Sequence, residues 1–271
     1  MTAIARFGSQ RLPNLVLLHG FLGSKQDWQP FMPYLSQQFH CICIDLPGHG
    51  SGLITTKGQT LSRLVQAIIS QIQVAIGQQS FHLLGYSLGG RLALLVADLL
   101  EKTAAQALLS LTLISCHPGL DTLKARNARR MHDNQWLSKL SSLKFAAFVE
   151  LWYQQAVFSD LSPQIRAEMI AKRTAQASQG LSVGLNLMSL AEQPDCRQVP
   201  AHLSCPCHVF VGALDDKFTT LAKAWQQLVP INLQIFDNAG HTLHITEPLV
   251  FMDTLVHLLH RNNACASLQS R

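Results

Sequence analysis

The sequence predicts an α/β fold: a mainly parallel, doubly wound sheet with a helical insertion over one end. Three patterns predict it. Through residues 1–116, short apolar runs of strand length alternate with longer stretches of helical period. That is how parallel strands joined by crossover helices read. The alternation stops over 117–189, where only helical patterns occur, richer in Arg, Lys and Gln. It resumes over 190–271. The expected division is a core of 1–116 and 190–271 with a helical cap of 117–189, a stretch too long for a plain connection.

The elements follow in order. Residues 15–19 read as a buried strand and 40–45 as the next. Between them a helix is expected from Asp27, with Trp28, Phe31, Met32 and Leu35 on one side. Leu61, Leu64, Val65, Ile68 and Ile72 have helical spacing, so 61–76 is an amphipathic helix. A strand over 81–85 runs into Tyr86-Ser87-Leu88-Gly89-Gly90 and a helix ending near Glu101. Residues 107–115 form another strand. After the insertion come a strand at 207–212, a helix at 219–228, the last strand at 232–236 and a helix at 248–260.

Composition narrows the class. The chain has 271 residues, 48% hydrophobic and 14% charged, which supplies a core and argues against disorder. No apolar run reaches the roughly 20 residues of a membrane span. Residues 1–10 lack a basic start followed by an apolar stretch, so no secretory signal is expected and the cytoplasm is the default compartment. The net charge is +5, yet no basic run of five or more occurs, so nucleic acid is not the expected partner. The seven cysteines (Cys41, Cys43, Cys116, Cys196, Cys205, Cys207 and Cys265) are odd in number and irregular in spacing, which is no disulfide framework. Cys41-Ile42-Cys43 and Cys205-Pro206-Cys207 place one residue between thiols, against the two to four usual at zinc. All seven are read as structural thiols, with no metal.

Gly85-Tyr86-Ser87-Leu88-Gly89 is a G-x-S-x-G motif with an apolar strand before it and a helix after it. Its glycines leave room for a tight, strained turn that lifts the serine hydroxyl above the sheet. The helix start then puts free N–H groups beneath any negative charge that develops. A serine hydroxyl needs a base. In this chain order the acid and then the histidine follow the serine. Asp215 follows the strand ending at Gly212, and His241 follows the last strand. Both therefore lie at carboxyl ends of strands, where open α/β sheets build their sites. His241 is one of 12 histidines, chosen over His244 by position; Asp216 is the rival to Asp215, and either aspartate could instead cap the helix that follows. His19-Gly20-Phe21-Leu22-Gly23 ends the first strong strand, so the N–H groups of Phe21 and Leu88 are the expected oxyanion hole. The loop Asp45-Leu46-Pro47-Gly48-His49-Gly50 is read as structural.

These motifs together resemble the α/β-hydrolase superfamily, and the resemblance covers nearly the whole chain. Within it the chain is similar to one branch, the 2-succinyl-6-hydroxy-2,4-cyclohexadiene-1-carboxylate synthases of menaquinone biosynthesis. The segments that carry this are Gly85-Tyr86-Ser87-Leu88-Gly89-Gly90-Arg91, His117-Pro118-Gly119-Leu120, Asp133-Asn134-Gln135-Trp136, Trp152-Tyr153-Gln154-Gln155, Gln193-Pro194-Asp195 and Asp216-Lys217-Phe218. Those in the insertion are the more specific, because hydrolases diverge most there. Where the branch often has Glu and Arg after Gly212, this chain has Ala213 and Leu214.

The resemblance implies a carbon–oxygen lyase without a cofactor. It would take a proton from a ring carbon of an enolpyruvyl-cyclohexene and release pyruvate, with Ser87 acting as base. It also implies a substrate pocket containing Tyr86, Arg91, Arg129, Trp152 and Arg173. The substrate carries three carboxylates, and arginine pairs with carboxylate in a two-pronged way that lysine cannot copy. Arg126 and Arg130 stand as alternatives to Arg129 if the register is off by a turn. Two rivals remain: a carboxylesterase or C–C bond hydrolase with Ser87 as nucleophile, and a non-catalytic binder that kept the fold.

Overall fold

The computed structural model describes residues 3–54, 58–176 and 180–269, with side chains through residue 263; the expectation for Cys265 lies outside the described side chains. Seven strands form one sheet in the order β1-β3-β2-β4-β5-β6-β7. They are β1 (Ile4–Phe7), β2 (Asn14–Leu18), β3 (His40–Ile44), β4 (Phe81–Tyr86), β5 (Leu108–Ile114), β6 (Cys207–Gly212) and β7 (Ile231–Phe236). β1 pairs antiparallel with β3, and the remaining pairs are parallel. The sequence expectation lacked β1. Its four residues sit on the edge and are mostly half-buried, so they carry no apolar run to read.

The helices are α1 (Met32–Leu35), α2 (Leu61–Ile76), α3 (Leu88–Thr103), α4 (Leu123–Ser142), α5 (Phe145–Trp152), α6 (Pro163–Ala175), α7 (Leu181–Leu187), α8 (Val199–His202), α9 (Asp216–Gln226), α10 (Leu243–Thr246) and α11 (Pro248–Gln269). The helix expected from Asp27 is instead a 3₁₀ helix, Lys25–Phe31, followed by α1. Pro30 and Pro33 explain the difference, since a proline ring removes an N–H and crowds the preceding turn. The expected inward face survives: Trp28, Phe31, Met32 and Leu35 are all buried. The 3₁₀ helix starts with a capping box, in which Ser24 and Asp27 bond each other's main chain.

The two faces of the sheet carry separate cores. Leu15 and Leu17 face Trp28, Phe31 and α11, whereas Val16 and Leu18 face α2, α3 and α9. This is the two-residue period of a strand covered on both sides. A third cluster forms within the segment between β5 and β6, from Trp136, Phe148, Val149, Tyr153, Phe158 and Met169 among others. It closes over Leu22, in the loop after β2. Among the described residues, no helix is long and apolar enough to cross a membrane. Cys41 and Cys43 are fully buried in β3, where burial pushes the Cys41 thiol up to about 12.

Burial leaves several histidines neutral. It lowers His49 and His244 to about 3, and His82, His117 and His208 to about 4, from the usual 6.5. His82 joins the sheet to α11, accepting from Ser110 and donating to Asn263. Unfolding frees these five groups to take up protons at their ordinary pKa. Below pH 6.5 the unfolded state therefore binds more protons than the folded state, and stability falls as pH drops toward 4. Denaturant midpoints measured from pH 7 to 4.5 should decline steeply, with an uptake on unfolding of several protons. A flat profile across that window would contradict neutral burial of these rings.

Candidate active site

The site is built at the carboxyl end of the sheet, where β2, β4, β5, β6 and β7 hand over to loops. Ser87 is the single residue between β4 and α3, and its backbone lies at φ 51°, ψ −108°. That region is costly for a residue with a Cβ. The turn is held by packing that only glycine permits. A Cβ on Gly85 would lie 2.3 Å from the Gly89 carbonyl oxygen, and one on Gly89 would lie 2.4 Å from the carbonyl oxygens of Leu18 and His19. The glycines therefore let the two limbs of the turn close on each other and on the end of β2. The Ser87 N–H donates to the Ile114 carbonyl of β5 at 2.8 Å, which fixes the turn to the neighbouring strand.

His241 and Asp215 converge on this serine. His241 Nε2 lies 3.3 Å from Ser87 Oγ, and His241 Nδ1 lies 2.8 Å from Asp215 Oδ2. Both partners of the second contact are at least nine-tenths buried. The other oxygen of Asp215 accepts from the Phe218 N–H and caps α9. The two readings of Asp215, helix cap and partner of the histidine, are thus both realised by one carboxylate. Asp216 is exposed in the first turn of α9. Ser115 Oγ donates to the His241 carbonyl at 2.8 Å, and the Phe218 ring meets the imidazole edge-on at 4.6 Å. His244 lies elsewhere, packed among Trp28, Phe31 and Tyr86. Leu88 opens α3, so its N–H has no acceptor within the helix. Phe21 follows β2 and lines the same cleft.

A cleft opens above Ser87. Arg91, Arg129 and Trp152 line it, as the resemblance implies, together with His117, Lys217 and Phe218. Among the described residues, no Asp or Glu lines it. The Arg91 guanidinium donates only to neutral groups, the Met188 carbonyl and Gln193 Oε1. Burial and the neighbouring Arg129 charge bring it down to about 10. Arg129 reaches the cleft with one side of its fork held by Asp133, at 2.8 Å, while Ser189 donates to the other Asp133 oxygen at 2.6 Å. The neighbouring arginines are occupied elsewhere. Arg126 donates to the carbonyls of Ala191 and Gln193, and Arg130 pairs with Glu192 at the surface. His117 accepts from the Gly119 N–H through Nδ1, so its proton sits on Nε2. Burial, then the charges of Lys217, Arg91 and Arg129, hold it neutral with a pKa of about 4.

Two residues implied as pocket ligands are not in this cleft. Tyr86 shares the face of β4 with Leu84, because strand side chains alternate. Its ring consequently packs against His244, with centroids 4.5 Å apart, and beneath Gly20. Arg173 is buried and pairs with Asp27 at 2.5 Å; its Nε donates to Tyr153 Oη at 3.1 Å. Asp27 is itself largely buried, and Lys172 lies 3.0 Å from it. Burial alone would raise the Asp27 carboxyl, but Arg173 outweighs it and holds the group well below the carboxylate range. An uncompensated buried carboxylate is expensive, so Arg173 is drawn to Asp27 and away from the cleft. Sequence reasoning in turn missed His117 and Lys217 as cleft residues. The signal was present: His117 lies in the loop after β5 and Lys217 in the first turn of α9, the helix after β6, both at the rim where such sites form.

The Asp45 loop behaves as expected. Asp45 is fully buried and accepts from the N–H groups of Lys25 and Ser51, and from Lys25 Nζ at 2.5 Å. The Leu46 N–H donates to His19 Nε2, tying this loop to the one that holds Phe21.

Comparison with known proteins matches this geometry to a family. The model of the alpha/beta hydrolase family matches residues 15–254. A 2-succinyl-6-hydroxy-2,4-cyclohexadiene-1-carboxylate synthase of Salmonella paratyphi C is 35% identical over 257 residues, 93% of this chain and 96% of that protein. MenH from S. aureus superposes with a TM-score of 0.87 at 23% identity, covering 97% of this chain and 100% of that one. A thermophilic esterase from Thermogutta terrifontis, solved with malate bound, gives 0.80 at 20% identity, covering 96% and 93%. The chain belongs to the alpha/beta hydrolase family, in the branch of the 2-succinyl-6-hydroxy-2,4-cyclohexadiene-1-carboxylate synthases.

Proposed function

We propose that this chain is a carbon–oxygen lyase that eliminates pyruvate from 2-succinyl-5-enolpyruvyl-6-hydroxy-3-cyclohexene-1-carboxylate, giving 2-succinyl-6-hydroxy-2,4-cyclohexadiene-1-carboxylate. The observation that carries the reading is the charge of the cleft. Arg91, Arg129 and Lys217 line it beside Ser87, and among the described residues no carboxylate lines it. Among the described residues Arg91 donates to neutral acceptors, and a desolvated cation without a counter-charge costs several kcal/mol, so an anion completes the site. A substrate with three carboxylates completes it, whereas a neutral ester does not. The family relationship supports the same substrate.

Ser87, His241 and Asp215 carry the chemistry in this proposal. Asp215 holds the His241 ring with Nε2 toward Ser87. The imidazole draws the serine proton, and Ser87 Oγ takes the proton from the ring carbon beside the succinyl carbonyl. The released electron pair becomes an enolate, whose oxygen the N–H groups of Phe21 and Leu88 receive. The pair then returns through the ring. A second ring double bond forms and the C–O bond to the enolpyruvyl group breaks. The departing pyruvate enolate is protonated to pyruvate. No cofactor enters the scheme. Trp152, packed at a tilt against Phe21 with ring centroids 4.7 Å apart, supplies an apolar wall for the ring. The segment 117–189 serves as the cap, and the cytoplasm as the compartment.

An esterase would use the same three side chains with Ser87 as nucleophile, so the assay must separate the two. Purified protein supplied with the enolpyruvyl substrate should release pyruvate, and Ser87→Ala should lower that rate at least about a thousandfold. Brisk hydrolysis of a nitrophenyl ester with no pyruvate release would overturn the lyase.

The two arginines should separate by phenotype. Arg129→Ala should lose roughly tenfold in kcat/KM, about 1.4 kcal/mol of transition-state binding, and should also lower the melting temperature, because it leaves the buried Asp133 carboxylate without its cation. Arg173→Ala leaves Asp27 largely buried with Lys172 and the Ser24 N–H beside it, and should destabilise the fold by about 3 kcal/mol or more, seen as a lower melting temperature. A stable Arg173→Ala protein with a raised KM would instead place Arg173 on the substrate.

A further inference from the structure

The loop that presents His241 is short, and its position is not set by the sheet alone. β7 ends at Phe236 and α10 begins at Leu243, so the imidazole hangs on a few residues of irregular backbone. Asp215 orients the ring, and Ser115 holds the His241 carbonyl. One peptide further back, the contact comes from the segment between β5 and β6. Asp160 Oδ2 accepts from the Gly240 N–H at 3.0 Å. Its carboxylate lies flat against the Gly240 Cα: a Cβ there would come within 2.3–2.5 Å of Asp160 Cγ, Oδ1 and Oδ2. Two residues before Asp160, the Phe158 ring packs edge-on to the imidazole at 6.2 Å.

We propose that Asp160 is a positioning residue: its carboxylate fixes the Gly240–His241 peptide so that His241 Nε2 meets Ser87 Oγ. The assignment rests on the Ser87–His241–Asp215 reading of the site. The Gly240 N–H precedes the reacting histidine by one residue, so a shift there turns the ring itself. A carboxylate accepts from an N–H more strongly than a neutral acceptor does, which suits it to hold an irregular loop. Asp160 also belongs to the same insertion as Arg129 and Trp152, two of the residues that line the cleft. Seating the insertion therefore assembles the substrate wall and the base together. Arg166 reinforces the anchorage by donating to the carbonyls of Tyr153 and, at 2.7 Å, of Phe158.

The test compares Asp160→Ala, Asp160→Asn, Gly240→Ala and the double variant Asp160→Ala/Gly240→Ala. Two rates are measured for each: pyruvate release, and sulfonylation of Ser87 by phenylmethanesulfonyl fluoride. The reagent reads the Ser87–His241 pair without the substrate. In sulfonylation Ser87 Oγ bonds sulfur, fluoride leaves and the serine proton passes to His241.

Asp160→Ala should lower kcat and sulfonylation roughly tenfold with KM within about twofold, because the substrate cations lie elsewhere. Asp160→Asn keeps an acceptor oxygen and should recover to within about threefold of the parent. Gly240→Ala pushes the carboxylate off the peptide and should show the same loss; adding Asp160→Ala should lower it no further. Parent-like sulfonylation and kcat in Asp160→Ala would overturn the assignment, and so would additive losses in the double variant. If Asp160→Ala does not fold, Gly240→Ala against the parent gives the same reading. A parent protein that is sulfonylated yet releases no pyruvate sinks the lyase reading alone, because the reagent still ranks the variants.

Discussion

The backbone of one residue sets the rest of the site. Ser87 sits at positive φ between a strand and a helix, a conformation costing about 1–3 kcal/mol for a residue with a side chain. The protein sustains it because Gly85, Gly89 and the end of β2 approach more closely than any Cβ would allow. Several consequences follow from that compression. The hydroxyl stands above the sheet edge, the N–H of Leu88 points out at the start of α3, and Arg91 comes one helical turn further along that same helix. In the proposed lyase the base, the anion-stabilising N–H and the first substrate cation thus share one rigid origin. Their relative positions are therefore set by backbone geometry rather than by flexible side chains.

Charge explains how the remaining residues are distributed. Two arginines of this molecule stand in opposite situations. Arg173 is balanced by Asp27, and the pair joins α6 to the 3₁₀ helix that follows the Phe21 loop. Arg91 has only carbonyl and amide oxygens as acceptors and faces a cleft shared with Arg129 and Lys217. A balanced cation holds structure together. An unbalanced one leaves the folded protein with an electrostatic deficit that an anionic ligand removes. The neutral state of His117 belongs to the same field, since burial and three nearby cations disfavour a further positive charge.

The insertion is more than a lid on this description. Its helix α4 carries Arg129 and the buried Asp133 that aims it, while α5 ends in Trp152. The end of α6 grips the segment after the Phe21 loop: Ser24 donates to Gln176, and Lys172 to the Gln26 carbonyl. Arg129 and Trp152 of the cleft, the segment after Phe21 and the loop of His241 all belong to or touch the same helical segment. Its own apolar cluster gives it the rigidity to act as one body on all three.

The sequence by itself determined the layer architecture, the strand-and-helix order and the convergence of Ser87, Asp215 and His241. These depend on local patterns: apolar period, glycines at fixed offsets, and residues that directly follow strand ends. The edge strand β1 escaped because a short, half-exposed pairing leaves no period to read. The breakdown of the helix at Asp27 was legible in Pro30 and Pro33. Only the tertiary structure decided which arginines face the cleft. A guanidinium reaches several ångströms from its own backbone, and its direction is chosen by whichever carboxylate lies nearest in space. Asp27 is far from Arg173 along the chain and adjacent in the fold, so no spacing rule could assign that pair, nor tell Arg129 from Arg126 and Arg130.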